Sequence, residues 1–286
     1  MRLHKTMNCF QLVKTVLDEL YSQINAIHRD NTDSVIKRKL EYLSQAYAKL
    51  SDGIEVDYGD PITRFAYIYK YTTSHANIVF DAIKDSENLK EVFNREVVDI
   101  SCIGGGPGSD FLGILKFIDS GAAPNFKKLK CYLCDKEKNW RESWADVDDK
   151  LGVSNPFSIV TTYWELDVTD VSELPPQSKI FNVDLFTMVY FISELFSSRE
   201  DTREFFETMF DHAKPGALFL FVDNYAQRFY GWFDEIAKAC NLECIEESQG
   251  HYQTGADEEK SDLGIYYDKF GPVKLGADIA YRLYRK

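Results

Sequence analysis

Val98-Asp99-Ile100-Ser101-Cys102-Ile103-Gly104-Gly105-Gly106-Pro107-Gly108-Ser109-Asp110-Phe111-Leu112-Gly113-Ile114-Leu115 is the stretch that decides the fold. An apolar run of strand length enters a glycine-rich turn and leaves it as an apolar segment of helical spacing. Glycine lets the backbone take positive φ and lie close to a ligand. The helix start beyond it offers free N–H groups to polar or anionic ligand atoms. Downstream, short apolar runs alternate with helical periods, the pattern of βαβ units and a mostly parallel sheet with helices on both faces. The strands read as 97–103, 129–134, 158–163, 183–191 and 217–222, with helices near 110–119, 139–151, 199–213 and 228–240. Residues 242–246 and 279–284 read as a final antiparallel pair. Between them, 247–276 is polar and glycine-containing, the composition of a loop or flap.

Upstream of the turn, residues 1–90 read as a helical extension, and 91–286 as the α/β core. Phe10, Leu12, Val13, Val16, Leu17, Leu20 and Ile24 recur at three- and four-residue intervals, an amphipathic stripe. A second helix is expected over 32–50. A third runs from Ile62 to about Ile83 after Asp60-Pro61, a favourable helix entry, and carries Phe65, Tyr67, Tyr69 and Tyr71. The extension is expected to act as a lid that excludes water.

Bulk properties narrow the function. The chain has 286 residues, 44% of them hydrophobic, enough for a sizeable core. No apolar run approaches the roughly 18 residues of a membrane span, and Met1-Arg2-Leu3-His4-Lys5 opens an amphipathic helix rather than a signal peptide. A cytoplasmic location, with the nucleus as an alternative, follows as the expectation. Cys131 and Cys134 stand in a C-x-x-C and Cys240 and Cys244 in a C-x-x-x-C. The first pair falls in an apolar strand, so core packing is expected and no metal site. The net charge of −13 speaks against a nucleic-acid partner, the basic candidates being Lys127, Lys128, Lys130, Arg282, Arg285 and Lys286.

The glycine spacing separates two cofactor classes. A dinucleotide turn needs G-x-G-x-x-G, and its third glycine would fall on Ser109 or Phe111. Gly104-x-Gly106-x-Gly108 instead resembles motif I of the class I S-adenosylmethionine-dependent methyltransferases. Asp135 after the second strand, the Asp167 loop after the third, Asp184 to Leu195 around the fourth and Lys214-Pro215-Gly216 before the fifth follow in that family's order. The resemblance implies a Rossmann-like seven-stranded sheet with its last strand antiparallel, and S-adenosyl-L-methionine as cofactor. It places Gly104, Gly105, Gly106 and Gly108 against the methionine and ribose. It gives the ribose hydroxyls to Asp135, the region of the adenine amino group to Asp167, and the reaction pocket to Tyr190. Asp99, inside the first strand, either orients the turn or is a satisfied polar residue.

The acceptor is less defined. Tyr190-Phe191-Ile192-Ser193 replaces the Asn/Asp-Pro-Pro-Tyr/Phe box of enzymes that methylate exocyclic base amines, and no cysteine pair suits a cytosine-C5 nucleophile. The aromatic helix resembles the cofactor lid of small-molecule amine N-methyltransferases, with Tyr69 or Tyr71 over the sulfonium. The Gly104 turn and the run 186–195 also resemble ribosomal RNA uridine methyltransferases. A small-molecule amine is the favoured acceptor, with RNA or a catalytically inactive scaffold as alternatives. Glu194, Asp223, Tyr225 and His75 are the candidate proton acceptors, and His251 and Tyr252 of the late loop are expected to close over the acceptor.

Overall fold

The computed structural model describes residues 8–47, 49, 56–143, 157–174, 179–254 and 260–286. Its centre is a seven-stranded sheet of order β3-β2-β1-β4-β5-β7-β6. The strands are β1 (Val97–Ile103), β2 (Lys128–Asp135), β3 (Ser158–Glu165), β4 (Leu185–Val189), β5 (Leu218–Asn224), β6 (Glu243–Gln253) and β7 (Gly276–Arg285). β1 to β5 pair in parallel; β7 is antiparallel to both β5 and β6. The order reverses direction between β1 and β4, and ligands of open α/β sheets bind beyond the carboxyl ends of strands at such a switch.

The amino-terminal helices are α1 (Cys9–His28), α2 (Thr32–Tyr47), α3 (Pro61–Tyr67), α4 (Thr73–Asp85) and α5 (Glu87–Phe93). The side chain of Asn8 caps α1 by accepting from the amides of Phe10 and Gln11, and Asp60 caps α3 by accepting from Ile62. These helices share one apolar cluster with α6 (Ser109–Phe117) and a sheet face that includes Val98, Ile100, Leu129 and Leu185. On the other face, Phe186, Met188, Phe219 and Phe221 meet α7 (Ile192–Leu195), α8 (Arg199–His212) and α9 (Gln227–Ala239).

At one point α4 and α6 touch backbone to backbone. A Cβ on Gly113 would lie 2.3 Å from the Ala76 carbonyl oxygen and 2.8 Å from the Val79 Cβ. Gly113→Ala is therefore expected to destabilise the protein by about 1–3 kcal/mol, the usual cost of overpacking. A thermal melt unchanged within error would show that the two helices can separate freely.

Three departures from the sequence reading matter. The helix expected over 62–83 runs on as expected but carries a π turn, Ile68–Thr72, between α3 and α4. The late pair is longer than 242–246 and 279–284: β6 runs to Gln253, so 247–253 is strand rather than loop. Its outer half is exposed on both faces, and such a ribbon carries no apolar alternation to read. Past it, Lys260–Leu263 and α10 (Ile265–Phe270) are helical, with Leu263 and Tyr266 buried against the amino-terminal cluster. Of the helix expected over 139–151, only residues to 143 lie among those described.

Candidate active site

Gly104 and Gly106 take φ of +65° and +46°, a region in which a side chain is strained. A Cβ on Gly104 would sit 2.0 Å from the Phe191 ring, so the turn after β1 packs directly on the turn after β4. At Gly106 the neighbours stand at ordinary contact distance. A Cβ there would stand 3.8 Å from both Asp135 Oδ2 and Trp140 Nε1, which makes the turn the floor of a cleft walled by an acid and an indole.

Acids ring this edge. Asp135, at the end of β2, accepts from the Gly106 amide at 2.8 Å and the Glu137 amide at 2.9 Å. Burial pushes its carboxyl up to about 6 against those two amides. Asp110, in the first turn of α6, accepts from the Thr187 hydroxyl at 2.5 Å, and burial raises it to about 7. Burial and then Asp135 lift Glu194 to about 8, with the Tyr58 hydroxyl pulling the other way. Asp223 is raised to about 6, again by burial. Burial thus holds four carboxyls of this edge above their ordinary range, a clustering typical of functional sites.

Beyond β4 and β5 opens a cavity of about 410 Å³. Tyr47 of α2, Tyr67 of α3, and Tyr71, His75 and Tyr190 form its aromatic walls; Glu194, Ser193 and Asn224 lie on the strand side, Lys70 and Lys274 also line it. His75 stacks on Tyr190 with centroids 4.1 Å apart. Tyr190 reaches that position at φ 55°, a left-handed conformation uncommon for a residue with a Cβ. Trp140 and Tyr67, 5.7 Å apart, join this aromatic box to the glycine cleft. Tyr58 crosses the same gap: its hydroxyl donates to Glu194 Oε1 at 3.1 Å and is also bonded to the Tyr47 hydroxyl. Buried Arg64 anchors Tyr58 by donating to the carbonyls of Tyr58 and Gly59 at 2.9 and 2.8 Å.

The residues named from sequence divide accordingly. Gly104 packs on Phe191, Gly105 faces the buried Cys102 and Leu133, Gly106 lies beside Asp135, and Gly108 precedes α6 at φ 78°; Tyr190, Glu194 and His75 line the cavity. Asp167 lies one residue past Leu166, whose amide donates to the Asp135 carbonyl. Burial raises its carboxyl, but the Thr169 hydroxyl and amide and Lys136 outweigh this and keep it low. Tyr69 points elsewhere: its hydroxyl donates to the Tyr266 and Gly271 carbonyls and its ring packs on Phe65 and Phe270. Two residues to either side on the helix, Tyr67 and Tyr71 face the cavity instead.

Tyr225 is 48% exposed and stacked on Tyr230, outside the cavity lining. Asp223 is fully buried and accepts from the Ser193 amide at 2.8 Å, so it positions the turn after β4. Burial and then Lys274 hold His75 down at about 3, too weak a base for neutral pH. Asp99 pairs with Lys130, well before the turn. His251 pairs with Asp278, and Tyr252 donates to Asp81 at 2.7 Å, both on β6 and outside the cavity lining. Tyr47, Tyr58, Arg64, Trp140, Lys70 and Lys274 escaped the sequence reading.

Structures similar to the chain include a methyltransferase of Pyrococcus furiosus (12% identity over 87% of this chain and 97% of that one, TM-score 0.46). Another is a "putative sarcosine dimethylglycine methyltransferase" of Galdieria sulphuraria (12% identity, 73% and 85% covered, TM-score 0.46). A third is a "putative RNA methyltransferase" of Pyrococcus horikoshii (9% identity, 74% and 83% covered, TM-score 0.43). At such identities and TM-scores they carry no argument of their own. No curated protein matches the chain. Residues 64–228, however, more than half of the chain, match the model of a family described as "Putative SAM-dependent methyltransferase". With the glycine turn of the class I enzymes in place at the switch point of their sheet, the chain belongs to this family of S-adenosyl-L-methionine-dependent methyltransferases.

Proposed function

We propose that the chain transfers the cofactor's methyl group to a small-molecule amine or similar nucleophile held in the cavity beyond β4 and β5. One observation carries the reading. Glu194 lines the cavity and accepts from the Tyr58 hydroxyl at 3.1 Å, and the Tyr58 ring lies 5.2 Å from Trp140, the neighbour of Gly106, so glycine turn and acceptor cavity meet around this carboxyl. The cofactor supplies an electrophilic methyl on a sulfonium. The protein's part is to hold an acceptor atom in line with it and to take a proton.

In this reading Gly104, Gly105, Gly106 and Gly108 cradle the cofactor, Asp135 accepts from its ribose hydroxyls, and Asp167 serves the adenine end. Tyr190 and Tyr67 wall the reaction pocket. Glu194 is the general base, held by Tyr58 and Tyr47. Residues 1–90 form the lid of a core spanning 91–286, and α2 and α3 place Tyr47 and Tyr67 over the cavity. No described helix is long and apolar enough to cross a membrane.

Calorimetric titration with S-adenosylmethionine, S-adenosylhomocysteine and NADH tests the cofactor half. Micromolar binding of the first two without the third is expected, followed by methyl transfer in a screen of small amines. A folded protein that binds neither sulfur compound contradicts the reading and leaves a scaffold.

A further inference from the structure

We infer that the acceptor cavity is built for a flat ring carrying an anionic group, the ring lying among Tyr71, His75 and Tyr190 and the anion meeting Lys70 and Lys274. This rests on the cavity being the acceptor site.

The two lysines come from distant parts of the chain and are brought together by backbone pairing: the Lys274 amide donates to the Lys70 carbonyl at 3.0 Å. Lys70 belongs to the π turn, a rare local geometry that often marks functional positions. Its ammonium donates to the Pro272 carbonyl at 3.3 Å, while the Lys274 ammonium lies 5.8 Å from the Tyr71 ring. Among the described residues neither ammonium has a carboxylate within salt-bridge distance. A chain of net charge −13 thus leaves two cations lining one cavity with no acid at that distance. Lys39, Lys130 and Lys269 each have an acid partner. Burial and then its neighbour Lys70 hold Lys274 below its ordinary value, which an anion between them would reverse.

The remaining walls complete the description. His75 and Tyr190, stacked within 17° of parallel, give the cavity a flat aromatic wall. Glu194 lies on the strand side of the same cavity as the lysines. A ligand with an anion at the lysines and a nucleophilic ring substituent at Glu194 satisfies both, whereas reversal sets anion against acid. About 410 Å³ suits a compound of one or two rings. Carboxylate and phosphate have the same chemistry here.

The test is calorimetric titration in saturating S-adenosylhomocysteine, using 3-aminobenzoate against the neutral 3-aminobenzamide, and uridine 5′-monophosphate against uridine. Wild type and a Lys70→Gln/Lys274→Gln variant are compared. The inference expects the anionic member of at least one pair to bind about tenfold tighter or more, with the preference lost in the variant. The aminobenzoate pair responding identifies a small carboxylate, and the nucleotide pair a phosphate. Equal binding within both pairs, or a preference that survives in the variant, overturns it. S-adenosylhomocysteine affinity is the control. If wild type does not bind it, the methyltransferase reading fails; if it binds equally in both proteins with no anion preference, only this inference fails. Both lysines lie at the surface of the cavity, and matching thermal melts confirm that the variant is folded.

Discussion

Asp135→Ala is expected to weaken S-adenosylmethionine binding by about a hundredfold or more, since hydrogen bonds to a charged group contribute about 1.5–3 kcal/mol each. The carboxylate stands at the carboxyl end of β2, beside Gly106 of the turn. It also organises that turn, by accepting from the Gly106 amide. Asp135→Asn separates the two roles: its amide oxygen can keep the Gly106 bond while the charge is lost. Calorimetry should place Asn between wild type and Ala. If both variants bind as wild type does, Asp135 is a turn residue and the cofactor lies elsewhere.

Glu194→Gln is expected to lower the rate of methyl transfer by about a hundredfold to ten-thousandfold, the usual span for a positioned base. The pH profile gives the sharper reading. With its carboxyl raised to about 8 by burial and by Asp135, Glu194 is protonated in most molecules at neutral pH. So kcat/KM should climb about tenfold per pH unit below that value and level off above it. The Gln variant should be slow and flat. Stability moves oppositely. A carboxyl raised on folding favours the native state when protonated, so its contribution is present below about 4.5 and is lost as pH rises through about 8. The Gln variant should therefore lose less stability across that window, as read by thermal melts at several pH values. A wild-type profile that keeps its shape in the variant would assign the proton to another group.

The parts of the site that are local in sequence were legible. Strand, glycine turn and helix follow one another within 97–117, so period and turn chemistry suffice to read them. Asp135 could be named because it closes an apolar run, and Asp167 because it stands two residues past the third strand. What tertiary packing decides was hidden. Tyr67, Tyr69 and Tyr71 have the same chemistry, and only the burial of the helix shows which face meets the cavity. Tyr58 reaches Glu194 because Arg64 holds its backbone, a contact with no trace in spacing. Lys70 and Lys274 are joined by one hydrogen bond across most of the chain. The solvated half of β6 lacks the alternation that would betray a strand.

A crystal structure with S-adenosylhomocysteine tests the central claim most directly. The account predicts the ligand along the Gly104–Gly108 turn, its ribose on Asp135 and its sulfur toward Tyr190 and Glu194. A ligand bound elsewhere, or one at the turn with its sulfur turned away from the cavity, would contradict it.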